Sequence, residues 1–431
     1  MVRITDPILL QAQQHQKAGD WLAAAAAYAE LTERYPRDHR LLANLGNALW
    51  LADLPAAAHQ AYARALAIEP TCLITRRGLA SCLRDLNQFQ LALELHEQLE
   101  RSLEPRSEQG FANLWAHSQV LIGLERFAEA FARMASRRAW LGVELARPWD
   151  LLAPQLTLAS EQGFGDTLQF VRFLIPLLQR RERFELRGGM RLLVEPPLVE
   201  LLREGLGWMG DGPTVSPKSP SHARQQALSL LDLPGVLGVQ HLPELGPDAA
   251  YLRSSSWRLS PARSPARIEV GLVSMAGRPG DDPFCVREFH KRSLPAQIIW
   301  RLVSELQQQG ARVHNLQYGS DARCHHALGL ELVQSADGLS GFAATARAVA
   351  QLDLVITVDT AMAHLVGAMG RPCWVLLPWS ADPRWLCTAP VTPWYPHTRL
   401  FRQPRSGDWH GAVDALQEFF SVLRSGRVPH P

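Results

Sequence analysis

A period of 34 residues in the first third of the chain constrains the fold more than any other feature. Three residue types recur at this offset (58 − 24, 62 − 28 and 70 − 36): Ala24, Tyr28 and Pro36, then Ala58, Tyr62 and Pro70. A small residue lets two packed helices approach closely, an aromatic ring fills the gap between them, and a proline ends the second helix. The period therefore predicts stacked pairs of helices.

This period resembles the tetratricopeptide repeat. The second unit opens with "NLGNALW", and its matching residues are Leu45, Gly46, Ala58, Tyr62, Ala65 and Pro70. A third unit carries His96 where the pattern has an aromatic residue, and a fourth fits only after a small insertion, with Ala130 as its close-contact residue. We expect three to four helical pairs over roughly residues 5 to 145. The array either supports the rest of the chain or presents a concave surface that holds a peptide or protein.

The pattern changes near residue 150, where short aliphatic runs begin to alternate with helical stretches. Four credible strands lie in the last third: "RIEVGLVSMAG", "ARVHNLQYG", "LDLVITV" and "PCWVLLP". The Ser- and Pro-rich stretch 253–267 reads as a linker. We therefore predict a helical-repeat domain over 1–148 and two Rossmann-like α/β domains over 149–258 and 266–431, with ligands bound at the carboxyl ends of the strands.

Composition excludes several classes of function. The formal net charge of +2 gives no field that would favour nucleic acid or an anionic membrane. The six cysteines form no CxxC pair and no zinc spacing, which favours a reducing compartment. No apolar run is long enough to span a bilayer. These features predict a cytoplasmic protein without a membrane span and with no nucleic acid as partner.

The first candidate motif is "EQGFGDT", residues 161 to 167. Gly163 and Gly165 allow a tight loop before a helix that we expect to start at about Thr167. Asp166 has two interpretations: it is the N-cap of that helix, or it is a general base at the mouth of a cleft.

The second motif is "GLVSMAGRPGDDP…REFHKRSLP", residues 271 to 295, in which a strand feeds a glycine loop. Lys291 and Arg292 then precede a helix, where they could neutralise a departing diphosphate; the alternative is a solvated basic turn. Asp281 and Asp282 are adjacent and do not form the spaced DxD of a divalent metal site, and we predict no metal ligands.

The third motif is "VITVDTAMAHLVGAMG", in which an apolar strand opens onto Asp359 and Thr360. A helix that begins with Thr360 places His364 on the same face, so that hydroxyl, helix N-terminus and imidazole converge on phosphate oxygens. The alternative is that Asp359 caps the helix and His364 is a buried, satisfied side chain.

Together these motifs, with "LQYG" and "WYPHTRLFRQ", resemble bacterial tetratricopeptide proteins that carry a glycosyltransferase module. The module is similar to the heptosyltransferase family and more distantly to the O-GlcNAc transferase group. The resemblance implies a GT-B fold and inverting, metal-independent transfer from a nucleotide-sugar. It implies Asp166 and Arg292 as catalytic residues. The donor-binding residues that it implies are Gly163, Gly165, Gly277, Lys291, Gln317, Asp359, Thr360, Ala361 and His364, although the family usually has glycine at the position of Ala361.

The sequence thus predicts a glycosyltransferase with no cofactor beyond its nucleotide-sugar substrate, acting on a protein or peptide that the repeats hold. Two alternatives stay open: transfer to a lipid or polysaccharide acceptor, and a non-catalytic repeat scaffold with a vestigial nucleotide-binding fold.

Overall fold

Consecutive helices pack in pairs along the first third of the chain. The computed structural model describes residues 6–140, 146–219, 227–245, 249–257, 267–278, 280–318, 325, 328–333, 340–387 and 389–424. The repeat helices are α1 (Pro7–Ala18), α2 (Trp21–Arg34), α3 (His39–Leu51), α4 (Pro55–Ile68), α5 (Leu73–Asp85), α6 (Phe89–Ser102), α7 (Glu108–Gly123) and α8 (Phe127–Ala135), followed by the short α9 (Arg137–Trp140). Within these ranges the eight longer helices form four pairs.

The residues behind the 34-residue period pack as the pattern predicts. The ring of Tyr62 is buried against Gly46 and Gly78, where a Cβ atom would lie 2.7 and 2.4 Å from ring carbons. The turns inside the helical pairs place Gly19, Asp53, Asn87 and Glu125 in the left-handed region, with φ between 59° and 75°. The first three follow the 34-residue spacing and Glu125 comes later, because the fourth repeat contains the insertion seen in the sequence.

His96, which stands where the repeat pattern has an aromatic residue, has a hydrogen-bond partner inside the array. Its Nδ1 atom lies 2.8 Å from Oδ1 of Asn113, and its ring stacks on His117 of the next repeat. Burial lowers the pKa of His96 to about 4, so this ring packs as a neutral group at physiological pH.

The chain folds into two compact units, and each unit is built from three segments that are separated in the sequence. One unit comprises Met1–Leu141 together with two later segments, Arg278–Lys291 and Trp379–Cys387. The other comprises Gly142–Gly277, Arg292–Pro378 and Thr388–Pro431. In the repeat unit the side-chain amide of Asn87 donates to the carbonyl of Trp379 at 3.3 Å. The short 3₁₀ turn Pro383–Trp385 packs on α7.

The second unit contains two sheets. The first is parallel, in the order β3-β2-β1-β4. Its strands are β1 (Leu156–Ala159), β2 (Met190–Val194), β3 (Thr214–Pro217) and β4 (Leu228–Ser229). Its helices are α10 (Phe164–Phe170), α11 (Leu174–Glu182), α12 (Val199–Leu206) and α13 (Leu233–Leu237). This strand order is that of one half of a Rossmann fold.

The second sheet has the order β6-β5-β7-β8-β10-β9, with only β9 antiparallel to its neighbour. Its strands are β5 (Ile268–Val273), β6 (Ala311–Asn315), β7 (Leu354–Val358), β8 (Cys373–Leu377), β9 (Val391–Thr392) and β10 (Tyr395–Arg402). Its helices are α14 (Pro283–Arg292), α15 (Ala296–Gln308), α16 (Phe342–Val349), α17 (Ala361–Ala368) and α18 (Trp409–Arg424). The predicted fold class, a helical solenoid followed by two Rossmann-like sheets, is confirmed. No helix in the described ranges is both long and apolar enough to cross a bilayer.

Candidate active site

Each of the two sheets has a point where the strand order reverses. In the first sheet β1 has β2 on one side and β4 on the other, and in the second sheet β5 lies between β6 and β7. Ligands of open α/β sheets bind in the crevice at such points, beyond the carboxyl ends of the strands. The first motif follows β1, the second follows β5 and the third follows β7, so all three predicted motifs lie at these two places.

The loop after β1 leads into α10 earlier than the sequence predicts. The helix begins at Phe164 and not near Thr167, because Gly163 is its N-cap and Asp166 is its third residue. Oδ2 of Asp166 accepts the backbone N–H of Gly163 at 3.0 Å. Gln162 has a φ of 65°, a conformation that costs a non-glycine residue about 1 kcal/mol or more. The half-buried carboxylate of Asp166 therefore has a structural partner at the rim of the first sheet.

The helix after β7 is capped by Thr360. Its Oγ1 atom accepts the backbone N–H of Met362 at 3.1 Å, and Ala361 is the first residue of α17. The interpretation of Asp359 as the cap is therefore wrong. Asp359, the residue that joins β7 to this cap, is buried, with 6% of its surface exposed. The positive end of the helix dipole favours an anion at this end of the helix.

His364 connects the two motifs. A Cβ atom on Gly165 would lie 2.8 Å from Cδ2 of His364 and 3.5 Å from Cα of Ala361, so the first turns of α10 and α17 meet face to face. The imidazole is 3% exposed, and its Nδ1 lies 2.8 Å from the hydroxyl of Tyr395. His364 is thus buried, as in the alternative interpretation of the third motif. It lies between the first and third predicted motifs.

Arg292 brings a positive charge to the same place. Its Nη1 atom donates to the carbonyl oxygen of Asp359 at 3.3 Å. The sequence stretch before it is not a solvated basic turn, because Pro283–Arg292 forms helix α14, capped by Asp282. Lys291 belongs to the repeat unit, where its Nζ atom lies 2.7 Å from Glu288.

The loop after β5 is held by a buried polar network. Oε1 of Gln317 accepts the backbone N–H groups of Ser274 and Met275 at 3.1 and 3.0 Å, so Gln317 fixes the backbone two residues before Gly277. The hydroxyl of Ser274 contacts Nε2 of His325 at 2.7 Å, and Nδ1 of His325 contacts Asn315 at 2.9 Å. The order of these contacts is that of a nucleophilic triad, but Ser274 and His325 are fully buried and offer no accessible nucleophile.

The same burial lowers the pKa of His325 to about 4. Its sequence neighbour His326 lies outside the described residues. In the part of the chain that the structure describes, no group of three or more His, Cys, Asp or Glu side chains is arranged to hold a metal ion.

One cluster behind His364 has no counterpart in the site predicted from sequence. Arg172, 1% exposed, lies with its guanidinium carbon 5.2 Å from the ring centre of Tyr251, 5.4 Å from that of Trp394 and 5.5 Å from that of Tyr395. The ring of Tyr395 packs against Gly367, where a Cβ atom would lie 2.4 Å away. The available signal was the adjacent aromatic pair Trp394 and Tyr395, at the start of β10.

The structure therefore brings together six of the predicted residues: Gly165, Arg292, Asp359, Thr360, Ala361 and His364. Asp166 follows Gly165 in the first turn of α10, and Gly163 is the N-cap of that helix. A guanidinium and a helix N-terminus at one strand end are suited to hold phosphate oxygens. The half-buried carboxylate of Asp166 is suited to accept a proton. Gln317 and Gly277 lie on the β5 side of the same switch point.

Gly165→Ala should disturb the packing of α10 on α17, although it adds only one methyl group. The new Cβ atom must displace the ring of His364, which Tyr395 holds from the other side. We expect a loss of about 1–3 kcal/mol in the free energy of unfolding, the usual cost of overpacking, measured by denaturant unfolding. Gly163→Ala is the matched control, because a Cβ there meets only Asp166 at an ordinary 3.4 Å. Equal stability of the two variants would contradict the close packing of α10 on α17.

Comparison with known proteins finds one similar sequence and several similar structures, whereas no protein-family model matches the chain. Protein FlbA of Caulobacter vibrioides is 26% identical over 374 residues, which cover 78% of this chain. The chain spans 60% of the length of that relative.

Among solved structures, a glycosyl transferase of family 9 from Veillonella parvula is similar over 64% of this chain and 98% of its own, with a TM-score of 0.43 and 11% identity. An O-GlcNAc transferase variant from Thermobaculum terrenum is similar over 97% of this chain and 91% of its own, with a TM-score of 0.33 and 15% identity. These proteins are of the two kinds that the sequence motifs resemble.

Proposed function

We propose that this protein is a nucleotide-sugar-dependent glycosyltransferase that acts with inversion and without a metal ion on a protein or peptide acceptor. The donor occupies the switch point between β5 and β7, and the acceptor approaches from the loop after β1. The observation that carries the proposal is the contact of α10 with α17 at Gly165 and His364. It brings the helix turn that carries the Asp166 carboxylate, beside the first sheet, next to a helix N-terminus of the second sheet that is suited to an anion.

The proposed reaction exchanges one bond for another at the anomeric carbon of the sugar. The acceptor hydroxyl or amide attacks that carbon, the bond to the diphosphate oxygen breaks, and Asp166 takes the acceptor proton. The nucleoside diphosphate leaves with an additional negative charge. Arg292 and the first turn of α17, which Thr360 caps, stabilise this charge, and their contact through Asp359 supports their acting on the same diphosphate.

A donor-hydrolysis screen tests the activity. The purified full chain is incubated with a panel of nucleotide-sugars, and release of nucleoside diphosphate is measured for each. We expect slow hydrolysis of one donor class well above the rate without enzyme. Tight binding of a nucleotide without any turnover, or no binding across the panel, would favour the scaffold alternative.

The acceptor class is tested on the repeats. Exposed polar residues of the repeat helices α1 to α8 are changed while the packing residues Ala58, Tyr62 and Pro70 stay intact. Loss of protein modification with unchanged donor hydrolysis supports an acceptor held by the repeats. Normal modification by well-folded variants would favour a lipid or glycan acceptor. A cytoplasmic site of action remains part of the proposal.

Activity should survive treatment with EDTA. The sequence offers no spaced DxD pair, and in this proposal Arg292 and the α17 helix end supply the positive charge that a divalent ion supplies in other transferases. Turnover of the donor found in the screen is measured before and after chelation, and again after addition of manganese or magnesium. Complete loss on chelation with recovery on metal addition would refute the metal-free mechanism.

A further inference from the structure

Three adjacent strands of the first sheet end in polar side chains that contact one another. Ser160 directly follows β1, Glu195 follows β2 and Lys218 follows β3. The hydroxyl of Ser160 donates to Oε2 of Glu195 at 2.8 Å, and Nζ of Lys218 lies 3.5 Å from Oε1 of the same carboxylate. We call these three side chains the polar edge. They lie at the carboxyl ends of the strands, where open α/β sheets bind their ligands.

The polar edge and the strand pairing fix Ser160 at three points. Its N–H donates to the carbonyl oxygen of Leu193 at 2.8 Å, which extends the pairing of β1 with β2. Its hydroxyl is bonded to Glu195, and its carbonyl oxygen accepts from Nζ of Lys218 at 3.0 Å. Because β2 lies between β1 and β3, the side chain of Lys218 crosses the end of β2 to reach this carbonyl.

The loop that leaves Ser160 is short and strained. Only Glu161 and Gln162 separate it from Gly163, the N-cap of α10. Gln162 has a φ of 65°, in the left-handed region that side chains disfavour. Such strain persists only where the surrounding structure holds the backbone in place. The polar edge holds the loop at Ser160, and the Asp166 carboxylate holds it at the N–H of Gly163.

We infer that Lys218 and Glu195 are positioning residues, which hold the strained loop and thereby set the place of Asp166. Without this anchor the loop can relax, and the first turn of α10 moves with it because Gly163 is both the end of the loop and the cap of the helix. The role of Asp166 rests on the proposed function, whereas the anchoring of the loop does not.

The strain at Gln162 sets the size of the expected effect. A residue in this conformation shifts a conformational equilibrium about fivefold or more toward relaxation. A loop that has lost its anchor should therefore populate the productive arrangement about five- to tenfold less often.

Hydrogen exchange of the ligand-free full chain tests the anchoring. Lys218→Met removes the ammonium from a side chain that is 31% exposed, so the core of the sheet stays packed. We expect the amides of residues 160–167 to exchange about fivefold faster or more, with exchange in the repeats unchanged. Glu195→Leu should act in the same direction, and Lys218→Arg, which can still donate to the carbonyl of Ser160, should exchange as the wild type does. Unchanged exchange of this loop in Lys218→Met would overturn the inference, whatever the protein binds.

Donor hydrolysis tests the positioning role with the nucleotide-sugar found in the screen. Lys218→Met should lower kcat about five- to tenfold and leave KM near its wild-type value, because the donor contacts are assigned to the second sheet. Lys218→Arg should retain most of kcat. Faster exchange of the loop with an unchanged kcat would overturn the positioning role, and so would a loss confined to KM.

Gln162→Gly separates the anchoring of a strained loop from a general loss of stability. Glycine adopts this φ without steric cost, so the loop should keep its shape when the ammonium is absent. The double variant Gln162→Gly with Lys218→Met should regain most of the kcat that Lys218→Met loses. Glu185→Gly is the matched control, because Glu185 also has a left-handed φ, 58°, between α11 and β2. Recovery of kcat with Glu185→Gly, or no recovery with Gln162→Gly, would overturn the link between anchor and strain.

The two readouts separate this inference from the proposed function. If the wild-type chain hydrolyses no nucleotide-sugar of the panel, the proposed function is refuted, and the exchange rates of residues 160–167 still decide whether the polar edge holds the loop.

Discussion

Asp166→Asn should lower sugar transfer by about 10²-fold or more while the affinity for the donor stays near that of the wild type. A decrease of this size is usual when a general base is lost, and the donor contacts assigned to Arg292 and Thr360 are unchanged. The structure makes this substitution unusually selective. Asparagine keeps an oxygen that can accept the Gly163 N–H, so the cap of α10 persists while the ionised carboxylate is lost.

The measurements are single-turnover transfer, donor affinity by calorimetry and the melting temperature. Asp38→Asn is a suitable control, because Asp38 caps α3 in the repeats through the N–H of Arg40 at 3.1 Å. Unchanged transfer in Asp166→Asn would return Asp166 to a purely capping role. A large drop in melting temperature together with lost transfer would show that the carboxylate acts through the loop and not as a base.

Arg287→Met should destabilise the repeat unit by about 3–5 kcal/mol, the usual effect of removing one member of a buried ion pair. The Arg287 side chain is 1% exposed, and its Nη2 atom lies 2.7 Å from both Asp53 and Asp85. Its guanidinium also covers the ring of Trp50 at 4.4 Å. Burial alone would raise the pKa of Asp85, but Arg84 and Arg287 outweigh it and hold that pKa below its usual range. Methionine fills the space and removes the cation that Asp53 and Asp85 share, while Arg84 still pairs with Asp85 at 2.9 Å.

The destabilisation is measured as the shift in the denaturant midpoint of the helical signal. Arg126→Met is the matched control: Arg126 forms two short contacts with Glu129 on the surface of the same unit, and its loss should cost at most about 1 kcal/mol. Because the pKa of Asp85 is lowered, its contribution to stability is present at neutral pH and is lost as that carboxylate is protonated in acid, so the difference in unfolding free energy between wild type and Arg287→Met should narrow at low pH. Burial raises the pKa of Asp53, which acts in the opposite direction and limits this narrowing. Equal effects of the two variants would contradict a buried ion-pair cluster.

The sequence was informative where local pattern and tertiary structure agree. The helical period follows from residues such as Tyr62 and Gly46 that pack within one or two repeats, and the strands β7 and β8 are short, fully buried and almost wholly apolar runs. Thr360 and His364 could be placed because both lie on the first turn of a helix that directly follows such a strand. Local spacing was sufficient for these features.

Helix α14 shows why other features could not be predicted. Its buried residues are Arg287 and Lys291, so it lacks the apolar stripe by which a sequence reveals an amphipathic helix. The carboxylates that pair with the buried Arg287 belong to Asp85 and Asp53, which lie 202 and 234 residues away in the sequence. The contact behind His364 is similar in kind, since Tyr395 is 31 residues from the histidine. No local pattern encodes contacts at this separation.

The discontinuous repeat unit has a consequence for synthesis of the chain. Its helices leave the ribosome first, but Asp85 and Asp53 receive Arg287 only after residue 287 has emerged, and Asn87 receives its partner only at residue 379. At about 5–20 residues per second, the nascent array waits on the order of 10 s or more before Arg287 can pair with Asp53 and Asp85. The helical array therefore becomes complete only late in translation, and an exchange of repeats between relatives must carry these two late segments with it.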